Sequence, residues 1–272
     1  MSRGRAAWRF VRRWWAALLV AFLGLLSLVR TVDLTTLPFA PDATWARVQR
    51  QGVLRVGTDA SYPPLASLTP EGAFVGLDIE LAQAIADGLG VSLELANIHY
   101  DGLLGALQAG RIDMIISAAP YDGTLTRDVA FSRSYADLGL VLVTRSGPGA
   151  PVDLTVGSVV VELGSEAHLY ARRLDRGQGS LRIVVVDRVE ELVAPLVQGE
   201  VDAAICDRIT GGQLAAGEAL QMVLPPLVSE PVHVVTARGA PRLAAEVNSI
   251  ITTLQTSGRL QRMDDRWLGG DR

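Results

Sequence analysis

Two side chains able to bind a small solute follow a short apolar run at Val53–Val56. Asp59 and Tyr62 lie in the loop that leaves this run, which is typical of a strand buried on both faces of a sheet. Two consecutive prolines, Pro63 and Pro64, keep the loop from becoming helical. Because ligands of open parallel sheets bind where loops leave the carboxyl ends of strands, these positions favour solute recognition.

Other kinds of chemistry have little support in the sequence. It contains no G-x-S-x-G, no H-E-x-x-H and no phosphate-binding loop motif. His99, His168 and His233 are scattered, and none has the spacing of a metal ligand. The single cysteine, Cys206, lies in an apolar run, which favours a buried, inert thiol and allows no internal disulfide. We therefore expect no catalytic residues, no cofactor and no metal site.

The elements that position the loop alternate between strand and helix. Leu81, Ile85 and Leu89 have helical spacing, with Asp78 expected as the N-cap and Gly90 as the C-terminal stop. The elements expected next are a strand at Val91–Leu95, a helix at Leu103–Ala109 capped by Asp101, and a strand at Ile112–Ile116.

One helix–strand unit occurs twice. The segments GALQAGRIDMIIS (residues 105–117) and APLVQGEVDAAIC (residues 194–206) align without gaps. Both read as a helix end, a glycine, a charged residue, an apolar residue, an aspartate and a strand. The repeat predicts two similar α/β lobes, in which Asp113 and Asp202 stabilise equivalent turns.

The composition is that of a globular protein with an acidic body. Of the 272 residues, 49% are hydrophobic and 20% are charged, and all 25 basic residues are arginine. Five arginines lie within the first 13 residues, before any acidic residue, and without them the formal charge changes from -4 to -9. An acidic body argues against nucleic acid as a partner.

The N-terminal segment predicts export. Those five arginines are followed by the apolar run WWAALLVAFLGLLSLV at residues 14–29. The run is longer than most signal-peptide cores and shorter than a full membrane span. Residues 1–40 are therefore expected to be a signal peptide or a membrane anchor followed by a spacer. Cleavage is left open, and residues 14–29 would contact the membrane if they are retained.

Three further strings carry a family resemblance. LRVGTDASYPP, FVGLDIELAQAIADGLGV and YDGLLGALQAGRIDMIISA resemble the extracytoplasmic solute-binding proteins of polar amino-acid uptake systems, the two-lobed periplasmic-binding-protein family that supplies ABC importers. The resemblance extends from about Gly52 to Gly269. It implies a monomer at the periplasm or cell surface, with a membrane permease of an ABC importer as its partner.

The resemblance also implies an α/β Venus-flytrap fold. Lobe one is expected at residues 41–141 and 232–272, and lobe two at residues 142–231. The β-rich segments Val141–Thr144 and Val232–Thr236 are expected to be the two crossing hinge strands. Such a hinge would let the cleft between the lobes close on a ligand.

The resemblance assigns roles to several cleft positions. It implies ligand contacts for Asp59 and Tyr62, and an aromatic ring that stacks on the ligand at Tyr100. At Ser117 and Ala118, relatives present a hydroxyl and a backbone carbonyl. At Asp207, which otherwise reads as an N-cap, relatives place the carboxylate that pairs with the ligand's ammonium group.

The sequence departs from the family at the carboxylate subsite. Relatives hold the α-carboxylate of an amino acid with an arginine where this chain has Leu125, and Arg127 lies two residues further on. Pro120 lacks the backbone N–H that usually helps. Glu166 replaces a threonine and would repel a carboxylate, although it also suits the first turn of a helix.

The remaining charges favour a cationic or neutral amine-like ligand over a zwitterionic amino acid. Asp59, Asp122, Glu166 and Asp207 would make the cleft rich in carboxylates, and Tyr62 and Tyr100 could supply cation–π contacts. Four alternatives remain open: an amino-acid binder that uses Arg127, a secreted dehydratase of the cyclohexadienyl type, a membrane-anchored ligand sensor, and a protein that has lost ligand binding.

Overall fold

The computed structural model describes residues 42–147, 154, 156–178, 180–217 and 219–269. The predicted N-terminal segment, including the apolar run at residues 14–29, lies outside them. Among the described residues, none of the helices is long and apolar enough to cross a membrane.

The strands are β1 Val53–Thr58, β2 Ser61–Tyr62, β3 Ala66–Leu68, β4 Phe74–Val75, β5 Ser92–Asn97, β6 Met114–Pro120, β7 Val129–Asp137, β8 Leu140–Arg145, β9 Ser158–Glu162, β10 Arg182–Val186, β11 Ala203–Asp207, β12 Leu220–Val228 and β13 Pro231–Ala237.

Helices cover both sheets and the end of the described chain. The helices are α1 Ala43–Gln51, α2 Leu77–Leu89, α3 Tyr100–Gln108, α4 Glu166–Gln178, α5 Val193–Val197, α6 Arg208–Leu214, α7 Pro241–Thr256 and α8 Arg259–Asp264, with 3₁₀ turns at Gly123–Leu125 and Val189–Leu192 and a π turn at Asp265–Gly269.

Two five-stranded sheets share one arrangement. The first has the order β5-β1-β6-β13-β7 and the second the order β10-β9-β11-β8-β12, while β2, β3 and β4 form a small separate sheet. In each large sheet, the first three strands pair in parallel, the fourth pairs antiparallel with the third, and the fifth pairs antiparallel with the fourth. We call the halves built on these sheets the first and the second lobe.

The repeated helix–strand unit occupies equivalent positions in the two sheets. Asp113 accepts a hydrogen bond from the backbone N–H of Arg55 at 2.8 Å, and Asp202 accepts one from the backbone N–H of Ser158 at 2.8 Å. Arg55 and Ser158 lie in β1 and β9, the central parallel strands of their sheets. Each aspartate therefore ties the turn before its own strand to the neighbouring strand.

Two predicted helix starts are wrong. Helix α2 begins after Gly76, and Asp78 lies buried in its first turn instead of capping it. The backbone around Gly76 has φ 136°, and a Cβ there would lie 2.1 Å from the carbonyl oxygen of Leu65, so this position requires glycine. Helix α3 begins at Tyr100, so Asp101 lies in its first turn and does not cap it. Gly90 ends α2 in the left-handed conformation, as expected.

The chain changes sheet just outside the predicted crossing strands. Strands β7 and β13 belong to the first sheet, and β8 and β12 to the second. The crossings are therefore the short segments at residues 138–139 and 229–230, and Val141–Thr144 and Val232–Thr236 each lie within one sheet. The lobe boundaries at residues 141 and 232 stay predictions.

Asp137 joins the two crossings. Its carboxylate accepts hydrogen bonds from the backbone N–H groups of Gly139 and Glu230, at 3.0 and 2.8 Å, and from the hydroxyl of Ser229 at 2.5 Å. Burial alone would raise the pKa of Asp137, but these hydrogen bonds and the charge of Arg208 lower it. A single side chain thus holds both connections between the lobes in register.

Separate apolar clusters stabilise the lobes. In the first lobe, α2 and α7 place Leu81, Ile85, Leu243 and Val247 against the sheet. In the second, apolar side chains from both faces of the sheet are buried, among them Val160 and Val161 of β9. Burial of such side chains on the sheet faces leaves the strand ends to carry the polar groups.

Candidate functional site

The first lobe places Asp59 at the end of β1, where it organises neighbouring loops. Its carboxylate accepts hydrogen bonds from the backbone N–H and the hydroxyl of Ser61, at 3.1 and 2.7 Å, and from the backbone N–H of Tyr100 at 2.8 Å. The hydrogen bond from the Ser61 hydroxyl is the main reason that the pKa of Asp59 is lowered. The backbone N–H of Asp59 in turn donates to the hydroxyl oxygen of Ser117 at 3.1 Å. Asp59, Tyr100 and Ser117 therefore lie together, at the ends of β1 and β6 and the start of α3.

Tyr62 and Tyr100 are both about half exposed, at 50% and 47% of their surface. Burial is the main cause of the raised pKa of Tyr62, and the charges of Asp207 and Glu230 raise it further. Those two carboxylates belong to the second lobe and to a crossing, so their charges act on Tyr62 from outside its own lobe. An exposed ring opposite carboxylates is suited to contact a cation.

The end of β6 carries Ser117, Ala118 and Pro120. Ser117 is buried and Pro120 is exposed at the last position of the strand. Ala118 has φ 48°, in the left-handed region, and the register between β6 and β13 shifts around it. The strand therefore bulges at the cleft, and bulges commonly re-aim groups at binding sites.

A buried carboxyl group lies behind this bulge. Asp78 accepts hydrogen bonds from the backbone N–H of Ala118 at 3.1 Å and from the hydroxyl of Tyr135 at 2.7 Å. Complete burial raises the pKa of Asp78 to about 7, although both hydrogen bonds oppose the rise. Sequence reasoning missed this contact because it assigned Asp78 to the helix cap.

The second lobe contributes a cavity of about 190 Å³. Four of its lining residues are acidic and none is lysine or arginine, the acidic ones being Glu162, Glu166, Asp207 and Glu230. A larger groove of about 1110 Å³ runs along β12 and α6, but it contains none of the predicted site residues. The small acidic cavity is therefore the better candidate for the ligand-binding half of this lobe.

Asp207 has a fixed orientation in the cavity because it also caps α6. Its carboxylate accepts hydrogen bonds from the backbone N–H and the hydroxyl of Thr210, at 3.0 and 2.6 Å. An N-cap aspartate satisfies a backbone donor at the helix start. Each carboxylate oxygen can accept more than one hydrogen bond, so capping leaves Asp207 able to bind an ammonium group.

Glu166 is the first residue of α4 and is exposed at the cavity. The preceding Ser165 accepts a hydrogen bond from the backbone N–H of His168 at 3.1 Å, and its own hydroxyl donates to the carbonyl of Glu162 at 2.8 Å. These two bonds fix the loop that presents Glu162 and Glu166.

Two cavity carboxylates were not predicted. Glu162 is the last residue of β9, so the strand-end rule applied to Asp59 could have found it. Glu230 lies in the second crossing and follows no recognisable motif, so only the tertiary structure reveals it. Cys206 also lines the cavity as a free, buried thiol, and burial raises its pKa.

Of the positions around the missing carboxylate subsite, Glu166 lines this cavity, whereas Pro120, Leu125 and Arg127 do not. Leu125 packs against the apolar cluster around α3, and Arg127 is exposed. Asp122 caps the turn Gly123–Leu125 and accepts hydrogen bonds from the backbone and hydroxyl of Thr124, both of which lower its pKa. Of the four carboxylates grouped from the sequence, Glu166 and Asp207 thus share the cavity, whereas Asp59 and Asp122 bind their own loops.

Sequence comparison gives one family and several named relatives. The model of the family described as bacterial extracellular solute-binding proteins, family 3, matches residues 54–270. The L-cystine-binding protein TcyJ of Escherichia coli (strain K12) is 25% identical over 257 residues, which cover 92% of this chain and 96% of that protein. The L-arginine-binding protein of Pseudomonas aeruginosa is 27% identical over 230 residues, covering 80% of this chain and 88% of that protein.

Solved structures agree on the architecture. An ancestral cationic amino acid solute binding protein superposes with a TM-score of 0.64 at 27% identity, covering 83% of this chain and all of that one. The L-cystine solute receptor of Neisseria gonorrhoeae, in an unliganded open conformation, has a TM-score of 0.72 at 22% identity, covering 85% of this chain and 98% of that one. At that identity the second likeness shows the fold alone. The predicted two-lobed α/β fold is confirmed.

Proposed function

Because the chain belongs to the bacterial extracellular solute-binding proteins, family 3, we propose that it is the extracytoplasmic component of an ABC importer that binds a small cationic amine. The observation that carries the choice of ligand is the cavity lined by Glu162, Glu166, Asp207 and Glu230. A cluster of four carboxylates in one small cavity is stabilised by a positive charge and destabilised by a negative one.

The first lobe would complete the site. The charges of Asp207 and Glu230 act on half-exposed Tyr62, so a cation bound between the lobes would contact an aromatic ring on one side and carboxylates on the other. The carbonyl oxygen of Ala118 offers a further acceptor for an ammonium group. This arrangement would bind the amine end of a solute without an arginine for a carboxylate.

The names of relatives support a cationic ligand. One relative binds L-arginine, and one structural neighbour at 27% identity is an ancestral binder of cationic amino acids. Both are binding proteins, which supports a non-enzymatic role here. A relative named for cystine shows that the family also includes other ligands, so the ligand must be tested directly.

Closure would take place about the two crossings held by Asp137. Its three hydrogen bonds span both connections, so the lobes can rotate about these segments while the segments stay joined. We further propose that residues 1–40 direct export, that the body acts as a monomer, and that it delivers its ligand to a membrane permease.

A thermal-shift screen of the purified chain tests the proposal. The probes are L-arginine, putrescine, spermidine and choline as cations, compared with L-glutamine and L-glutamate. A ligand that binds only the folded state adds about 2.7 kcal/mol of stability at a hundredfold excess over Kd, so the melting temperature should rise with the cations. In Asp207→Asn the shift should be lost, and in Glu94→Gln, on an exposed strand position, it should persist.

The other outcomes decide against the proposal in different ways. Stabilisation by neutral or acidic amino acids, abolished in Arg127→Ala, would establish an amino-acid binder that uses Arg127. A shift with none of the probes would favour a sensor, a dehydratase or a protein without ligand. Turnover of a cyclohexadienyl acid would identify the dehydratase.

A further inference from the structure

The backbone of Ala118 has a conformation that alanine rarely adopts. With φ 48° it is the one non-glycine residue of the described chain in the left-handed region. A conformation of this kind persists only where the surrounding structure enforces it, and such residues cluster at binding sites. Ala118 lies at the cleft end of β6, between buried Ser117 and exposed Pro120.

Two side chains from different elements hold this residue in place. The N–H of Ala118 points at the carboxylate of Asp78 and at the hydroxyl oxygen of Tyr135, with both distances 3.1 Å. The Tyr135 hydroxyl donates to the other oxygen of the same carboxylate at 2.7 Å. Asp78 belongs to the first turn of α2 and Tyr135 to β7, so the three residues form a closed triangle across three elements.

The triangle is well separated from other charges. Three of the strands in contact with α2 carry no titratable side chain, namely β3, β4 and β6. The other elements in contact with α2 are β1, β5, α7 and α8. Some of their charged residues are paired with residues other than Asp78: Arg55 with Asp113, Arg242 with Glu246, and Asp264 with Arg208. The others, Glu94, Arg259 and Arg262, are exposed. On α2 itself, Glu80 pairs with Arg266 and Asp87 is exposed. From β7, Tyr135 faces Asp78 directly, Arg133 is exposed, and the carboxylate of Asp137 is hydrogen-bonded at the crossings.

We propose that Asp78 and Tyr135 are positioning residues for ligand binding, which hold Ala118 in the conformation that shapes the first-lobe wall of the cleft. This inference rests on the proposed function, because it takes the cleft to be the ligand site. It assigns a role in affinity to two buried side chains that do not contact the ligand.

The charge state of Asp78 should then affect the cleft. As a carboxylate, Asp78 offers an acceptor to both donors, and charged acceptors make the stronger hydrogen bonds. Burial raises the pKa of Asp78 to about 7, so the carboxyl group is charged above that pH and neutral below it. The charged form holds Ala118 more firmly and attracts a cation, so cation affinity should increase as the pH rises through about 7. By linkage, a bound cation lowers the pKa of Asp78.

Two measurements on the full chain test the inference. The first follows the amide resonance of Ala118 by NMR in ¹⁵N-labelled protein without ligand, where a titration with a midpoint near pH 7 is expected. In Asp78→Asn the titration should disappear. In Tyr135→Phe its midpoint should move to higher pH, because the lost hydrogen bond favours the charged form.

The second measurement is calorimetric affinity for L-arginine, or for whichever cation stabilises the chain, at about pH 6 and about pH 8, on either side of the pKa. We expect roughly tenfold tighter binding at the higher pH in the wild type, and a much smaller difference in Asp78→Asn. The comparison is between the pH dependence of the two proteins, with Glu80→Gln on the same helix as the control.

The two readouts separate the failure of this inference from failure of the proposed function. If no cation binds but the Ala118 amide titrates with Asp78, the triangle is real and the proposed ligand is wrong. If cations bind with the same pH dependence in wild type and Asp78→Asn, the positioning role is refuted. An Ala118 amide that does not titrate in the wild type refutes it as well, without any variant.

Discussion

Asp207 caps a helix and is also the residue that we propose binds the ligand's amine, two roles that the sequence alone presents as alternatives. Its carboxylate caps α6 through Thr210 and at the same time lines the acidic cavity. The cap restricts the side chain to one orientation, so little conformational entropy remains to be lost when a ligand binds. Capping therefore supports the ligand role.

The double role predicts different outcomes for two substitutions of Asp207. Asparagine is as good an N-cap as aspartate, so Asp207→Asn should leave the free energy of unfolding nearly unchanged while it removes cation binding. Asp207→Ala should lose about 1 kcal/mol of stability as well as binding. Urea denaturation and ligand titration of both variants measure the two effects. Equal destabilisation by asparagine and alanine would contradict the capping role.

At the scale of elements, one buried ion pair links α6 of the second lobe to α8. Arg208, next to Asp207, pairs with Asp264, and both side chains are more than nine-tenths buried. Arg208 also donates to the carbonyl oxygen of Asp137 at 3.1 Å, so the pair lies beside the first crossing. Burial raises the pKa of Asp264 despite the neighbouring guanidinium group. Asp207, the proposed ligand-binding residue, thus caps α6, and Arg208, the first residue of α6, joins this helix to α8.

Breaking this pair on one side should be costly. Asp264→Asn leaves the buried guanidinium of Arg208 without its counter-charge, and we expect a loss of about 3 kcal/mol in the free energy of unfolding. The matched control is Glu246→Gln, which breaks the more exposed pair with Arg242 and should cost less than about 1 kcal/mol. Chemical denaturation of both variants gives the comparison, and similar small losses would show that the buried pair contributes little.

At the scale of the whole molecule, the candidate site is divided between two lobes, which are joined by two short crossings and by the buried pair of Arg208 and Asp264. Asp59, Tyr62, Tyr100 and Ala118 belong to the first lobe, and Glu162, Glu166 and Asp207 to the second. When a cation binds between the lobes, carboxylates that otherwise face water would pair with it. This pairing favours the closed arrangement only when the cation is present.

Closure should be visible in solution. We expect the radius of gyration of the wild-type chain, measured by small-angle X-ray scattering, to decrease when the stabilising cation is added, because the ligand bridges the lobes. The same cation should leave Asp207→Asn unchanged. Tight binding with no change in the radius of gyration would mean that the lobes do not move about the crossings.

Much of this architecture follows from local sequence signals. Apolar runs, helical spacing and glycine stops predicted β1, α2 and the β6 region, and the internal repeat predicted two similar sheets, because periodicity and turn chemistry act over a few residues. Asp59, Tyr100 and Ser117 lie together because the carboxyl ends of parallel strands meet at one edge of a sheet, and their role in ligand binding stays a prediction.

Contacts between distant segments were decided by the tertiary structure alone. Asp78 reads as a helix cap, yet it is buried against Ala118 and Tyr135, 40 and 57 residues away. Glu230 joins the acidic cavity because the second crossing brings it beside β11, and no local pattern marks it. Local signals determine which elements form and where polar groups leave them. Which of those groups come into contact depends on how the sheets and crossings pack, because the packing energy comes from residues that are far apart in the chain.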